Sequence, residues 1–237
     1  ISYAVEFPAI PGIANLYPAL GYASAQFPLA GTFSLLGWGV EGFRLFNGFV
    51  LGLAALDLLL RLRQRTITPG TYSLAVMLTL AWVALIALAD YWVTSPSQDT
   101  TAWVLTAVAI AYLVDAVHLR SQRSCYAMVT TTIALLTALV LIRSTLGPFA
   151  VFALAVLIWV SFNKTGTTVR AWRVPIALSG LVVIAGAAVL LVRDRILSGW
   201  LLFPLDVLPT GASWQASDPA ATSQAILGYH RNPSDIW

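Results

Sequence analysis

The acidic residues set the limits of the chemistry this chain can do. Asp57, Asp90 and Asp115 lie in or beside long apolar runs, where an ionised carboxylate is costly and therefore often functional. Asp57 precedes Arg61 by four residues, which makes the two neighbours on a helix surface. An ion pair near a helix end accounts for it. Asp115 stands three residues before His118 and five before Arg120, a position where solvation at a helix edge suffices. Asp90, beside Tyr91 and Trp92, is the one of the three most open to a functional role. Asp99 differs in its setting, the turn Ser95-Pro96-Ser97-Gln98-Asp99 just before an apolar run. There a carboxylate either caps the free amides of a helix start or is displayed at the mouth of a bundle.

Other chemistries find little support. His118 and His230 are the two histidines and Cys125 the one cysteine, so neither a zinc cluster nor a disulfide framework is expected. No Ser-His-acid arrangement suggests itself. Gly37-Trp38-Gly39-Val40-Glu41-Gly42 carries the glycine spacing of a dinucleotide site, but no strand precedes it and no βαβ unit surrounds it. Asn163-Lys164-Thr165 fits a glycosylation acceptor and is read as chance. Gly48 and Gly52 share a helix face, the spacing that lets helices approach closely. Internal packing is expected there, with a dimer contact as the alternative.

The elements that position these residues follow from composition. Of the 237 residues 59% are hydrophobic and 10% charged, with a mean hydropathy of +0.81, against about 25% charged in a soluble domain. So few charges cannot cover a water-facing surface, whereas lipid asks for no such covering. The fold class expected is all-α, a polytopic transmembrane helix bundle. The net charge of +3 is spread in small clusters, a pattern that does not point to nucleic acid.

A spanning helix needs about 20 apolar residues, and about six segments approach this: Phe43–Leu60, Tyr72–Val93, Thr101–Leu119, Tyr126–Ile142, Pro148–Phe162 and Val174–Val192. Loops after the first, third and fifth hold Arg61, Arg63, Arg65, Arg120, Arg123, Lys164, Arg170 and Arg173. The other side holds Arg44, Arg143, Arg193, Arg195 and Arg231. The excess places the first set in the cytoplasm. Residues 1–42 are then an outward-facing loop with an interfacial helix over Gly21–Leu36, residues 43–197 the six-span bundle, and 198–237 an outward-facing tail. Pro28 argues against a seventh span. Trp200-Leu201-Leu202-Phe203-Pro204 is expected at the membrane interface, which favours tryptophan. The chain opens on Ile1, with no basic stretch before an apolar run, so upstream sequence is expected rather than a signal peptide.

Several stretches together resemble a known group. They are Ile10-Pro11-Gly12-Ile13-Ala14-Asn15-Leu16, the Ser95–Asp99 turn, Ser198-Gly199-Trp200-Leu201-Leu202-Phe203-Pro204, and Ile226-Leu227-Gly228-Tyr229-His230-Arg231-Asn232-Pro233. In this order they resemble a family of bacterial polytopic membrane proteins similar to the C-type glycosyltransferases, which use polyprenyl-phosphate sugars. Leu201, Leu202, His230 and Gln98 depart from the pattern. The resemblance implies a multi-pass protein of the bacterial inner membrane, with an upstream span and an acidic outer loop. It implies transfer of a sugar from a polyprenyl-phosphate donor at the outer face, with a divalent cation as the candidate cofactor.

That reaction needs a base for the acceptor hydroxyl and positive charge for the leaving phosphate. Asp99 and Glu41 are the candidate bases. Arg195 and Arg231 are the candidate phosphate partners, because guanidinium matches phosphate oxygens. Asn15 and Tyr17 are candidates to hydrogen-bond the sugar, and Ser198 and Gly199 belong to the same binding motifs. The competing expectation is a non-catalytic membrane subunit that scaffolds a larger complex through the lipid bilayer and membrane protein partners.

Overall fold

A computed structural model describes residues 10–16, 24–33, 42, 44–64, 67–87, 98–118, 122–164, 169–203 and 207–219. Among these, seven α-helices occur and no strand: α1 (Gln26–Phe33), α2 (Leu45–Leu62), α3 (Pro69–Ala87), α4 (Gln98–His118), α5 (Gln122–Ile142), α6 (Gly147–Lys164) and α7 (Val169–Ser198). Each of the six apolar segments overlaps one of the helices α2 to α7, and residues 43, 88–93 and 119 of those segments lie outside the described residues. Leu45–Leu62, Gln98–His118 and Ala177–Ser198 are long and apolar enough to cross a bilayer. The chain forms two compact units. One holds Ala25 to Gly186, and the other joins residues 10–16 and Ser24 to Ala187 and the described residues after it.

Local sequence explains the helix ends. At α3, Thr68 precedes Pro69, and the Thr71 amide donates to Thr68 Oγ1 at 3.3 Å. This is a side-chain cap followed by the residue best suited to a first helical position. α4 has Asp99 in its first turn and His118 in its last, an order that complements the helix dipole. Asp99 therefore lies inside the helix rather than before it. α7 stops at Gly199, whose φ of 77° is left-handed and whose amide donates to Arg195 O at 2.9 Å. Glycine adopts that conformation without a side-chain clash.

In the first unit α4 is the central helix, packed against α2, α3, α5 and α6. More than half of it is buried. Its sequence permits this, because alanines line more than one face. Val104, Ala107, Val108 and Ala111 meet Ala54 of α2 and Leu74 of α3. Ala109 and Ala116 meet Val129 and Leu136 of α5 and Ala153 and Leu157 of α6. Lipid tails are as apolar as leucine, so close van der Waals contact between small side chains does the work of a hydrophobic drive. The outer faces carry exposed apolar residues, among them Leu53 and Leu56 of α2, Phe152 and Trp159 of α6, and Leu181 and Ile184 of α7. Gly52 also opens outward, with nothing within 4 Å of where a Cβ would lie. The internal packing expected of the Gly48/Gly52 face does not occur at Gly52.

Pro28 sits in the first turn of α1, where its missing amide hydrogen has no intrahelical role. The proline therefore starts a helix instead of kinking a span. α1 packs on α2, with Phe33 edge-on to Phe46 and Phe49 at centroid distances of 5.9 and 5.3 Å.

Candidate functional site

The first unit has polar groups at both ends of an apolar bundle. At one end the C-terminal turns of α2 and α4 meet the start of α3. Arg61 is the hub. Its Nε donates to Asp57 Oδ2 at 2.9 Å, and its Nη1 donates to Asp115 Oδ2 at 2.5 Å. The guanidinium carbon lies 4.2 Å from the centre of the Tyr112 ring, whose hydroxyl donates to Asp57 Oδ1 at 3.2 Å. Asp115 Oδ1 accepts from the Gly70 amide at 2.9 Å, so the carboxylate also caps the start of α3, where the helix dipole favours negative charge. A Cβ on Gly70 would fall 2.2 Å from Ala111 O and 2.4 Å from Asp115 Cγ. Only glycine lets α3 come this close to α4.

The i,i+4 pair expected of Asp57 and Arg61 forms. Asp115 is not an edge residue: it is 2% exposed and spends both oxygens on protein donors. The reason lies in α4's central position, which walls its last turns with α2 and α3.

At the opposite end the first turns of α2 and α4 meet α1 and the end of α5. Asp99 and Arg143 form an ion pair there, with side chains 43% and 38% exposed. Arg143 Nε also donates to Thr145 Oγ1 at 3.2 Å. Beneath them, Asn47 Oδ1 accepts from Thr101 Oγ1 at 2.6 Å and from Gln26 Nε2 at 3.4 Å. All three side chains are buried. They fix the starts of α1, α2 and α4 against one another. The Ala25 amide donates to Leu141 O at 2.9 Å, which ties the last turn of α5, and hence Arg143, to the same cluster. Sequence reasoning assigned Arg143 no role. Its signal was its place just after an apolar run, opposite the Asp99 turn.

The second unit gathers Asn15, Arg195, Ser198 and Gly199. Asn15 Nδ2 donates to Trp214 O at 2.8 Å, and the Gly12 amide donates to Ile196 O at 3.0 Å. Ser198 Oγ donates to Asp194 O at 2.7 Å and accepts from the Trp200 amide at 3.1 Å. Gly199 O accepts from Thr210 Oγ1 at 2.6 Å. A Cβ on Gly199 would lie 2.5 Å from Gln215 Cα, and one on Gly12 would lie 2.7 Å from Trp214 Cβ. Two stretches singled out in the sequence, 10–16 and 198–203, thus meet over the segment 214–216. Arg195 keeps its side chain exposed. Glu41, Tyr17 and Arg231 lie outside the described residues, as does Asp90. Among the described residues no three His, Cys, Asp or Glu side chains come together to hold a metal ion, so a divalent cation finds no ready set of ligands there.

Residues 1–231 match the family described as Domain of unknown function (DUF8201). The chain belongs to this family. No curated protein and no solved structure matches it. The match takes in both ends of the helical unit and the junction of Asn15 with Trp214. In this family member that junction turns Trp200 and Phe203 inward, where they pack with Ala14 and Ala216. Trp200 Nε1 donates to Ala216 O at 2.9 Å. These two aromatics line a protein core instead of the lipid boundary expected of them, because the tail folds back over them.

Proposed function

We propose that the chain is a multi-pass protein of a bacterial inner membrane, crossing about six times, and that the Asp99 end of its bundle faces outward. There it transfers a sugar from a polyprenyl-phosphate donor. The observation that carries this reading is the exposed Asp99–Arg143 pair at one end of an otherwise apolar bundle. It sets a carboxylate beside a guanidinium within reach of solvent and of lipid headgroups. The excess of Arg and Lys in loops at the other end supports the orientation.

In this reaction Asp99 accepts the proton of the acceptor hydroxyl as its oxygen bonds to the anomeric carbon. The bond from that carbon to the phosphate oxygen breaks, and polyprenyl phosphate leaves with the electron pair. Arg143 matches the phosphate oxygens. Asn47, Thr101 and Gln26 hold the helix starts so that the two charged groups stay adjacent.

A second reading, a non-catalytic membrane subunit, is favoured by a different observation. Asn15 and Ser198 direct side-chain polar groups at the protein's own backbone, and the Gly199 amide donates to Arg195 O, as residues of a structural joint do. Proteoliposomes holding the full chain and a radiolabelled polyprenyl-phosphate sugar separate the two. Sugar release that survives in wild type but is lost in Asp99→Asn and Arg143→Ala supports transfer at this pair. Release that persists in both variants removes the pair from the reaction, and no release by wild type leaves the subunit reading in front.

A further inference from the structure

Among its described residues the second unit exposes two adjacent apolar side chains, Val207 and Leu208. After α7 the chain runs out along residues 199–203 and returns along 207–210. The Leu201 amide donates to Leu208 O at 3.3 Å, and the Thr210 amide donates to Gly199 O at 3.2 Å. Trp200 and Pro209 pair as an isolated antiparallel bridge. Trp200 and Phe203 on the outgoing arm are buried. On the returning arm Val207 and Leu208 are 45% and 54% exposed. Leu208 holds a φ of 58°, a left-handed conformation that a leucine adopts only at a cost. The backbone bonds at its own carbonyl and at Thr210 hold the residues that follow it against the outgoing arm. A strained backbone that presents a large apolar side chain outward calls for something to receive it.

Two groups at the end of α7 identify the receiver. Trp214, partly exposed, lies alongside the last turn of α7, with its indole Nε1 3.5 Å from Arg195 O. Arg195 itself is an exposed cation in that last turn. An amphipathic ring and an arginine at the end of an apolar helix of spanning length form the arrangement that suits the boundary between headgroups and acyl chains. The apolar helix Ala177–Ser198 ends one residue before the outgoing arm begins, and the Trp200–Pro209 bridge ties the returning arm to that helix end. We infer that Val207 and Leu208 insert into the bilayer interface at the end of α7, with Trp214 and Arg195 at headgroup level, and so fix the depth of that helix. This rests on the reading of α7 as a membrane span. It moves the lipid contact away from the aromatic run Trp200–Phe203, where the sequence places it.

The test uses the full chain in lipid nanodiscs on a Cys125→Ser background, with a polarity-sensitive fluorophore on Leu208→Cys and, separately, on Val207→Cys. Val189→Cys on the exposed face of α7 serves as the reference. Lipids carrying a quencher on the upper acyl chain should remove most of the fluorescence at 207 and 208, and aqueous iodide should remove little. If Val189 is quenched from lipid while 207 and 208 are quenched by iodide, the arm lies in water and the inference fails. Shielding of 207 and 208 from both quenchers means that protein covers them, which also overturns it. A Val189 label that lipid does not quench would instead remove the membrane reading of α7 itself.

Discussion

The two ends of the helical unit use the same chemical parts and differ in where they place them. At the Arg61 end an arginine bridges two carboxylates beneath the last turns of α2 and α4, nearly closed to solvent. At the Arg143 end an arginine meets one carboxylate in the open. Burial sets what each is worth. A buried charge left without its partner costs far more than the pair contributes. An exposed pair is screened and contributes little to stability. One end is a fastening for three helices, and the other is where the proposed transfer would take place.

Variants can break this contrast, and the largest effect is expected at the closed end. Arg61→Ala strands Asp57 and Asp115 together, and Asp115→Ala strips both the guanidinium and the Gly70 amide of an acceptor. Each should lower stability by about 3–5 kcal/mol, read as a large drop in thermal midpoint in detergent or as loss of folded protein. Gly70→Ala should come next, at roughly 1–3 kcal/mol, because the new methyl group meets backbone at Ala111 O and cannot be relieved by a rotamer. Tyr112→Phe removes one hydroxyl from Asp57 and should cost about 0.5–1.5 kcal/mol. The smallest effect belongs to the open end, where Asp99→Asn or Arg143→Ala should shift stability by no more than about 1 kcal/mol. A large loss of stability at Asp99, or a mild one at Arg61, would erase the distinction between the ends.

The positions of α2 to α7 were legible in the sequence because apolar length is a local property. So was the Asp57–Arg61 pair, four residues apart on one helix. Asp115 was not, because its burial depends on α4 being the helix that every neighbour packs against, and no local pattern marks a central helix. The alanines at 102, 107, 109, 111 and 116 are the closest signal to it. Pro28 was read only as an argument against a seventh span, and its place in the first turn of a helix that begins at Gln26 was not legible. Of the candidate site, Asp99 was legible as a residue of interest. Its partner Arg143 was not, since the two meet only when the end of α5 folds back beside the start of α4. Asn15 and Trp200 were noticed as motif residues, but their partners lie in a tail whose fold the sequence did not disclose.

The bond from Asn15 to Trp214 spans 199 positions along the chain, and this has a consequence for how the protein is made. Residues between them must leave the ribosome first, which takes roughly 10–40 s at about 5–20 residues per second. For that interval Gly12 and Asn15 lack the backbone at Trp214 that they meet. The second unit can therefore close only after the segment around Trp214 has been made. A chain cut short before Trp214 would leave Gly12 and Asn15 without the backbone they meet.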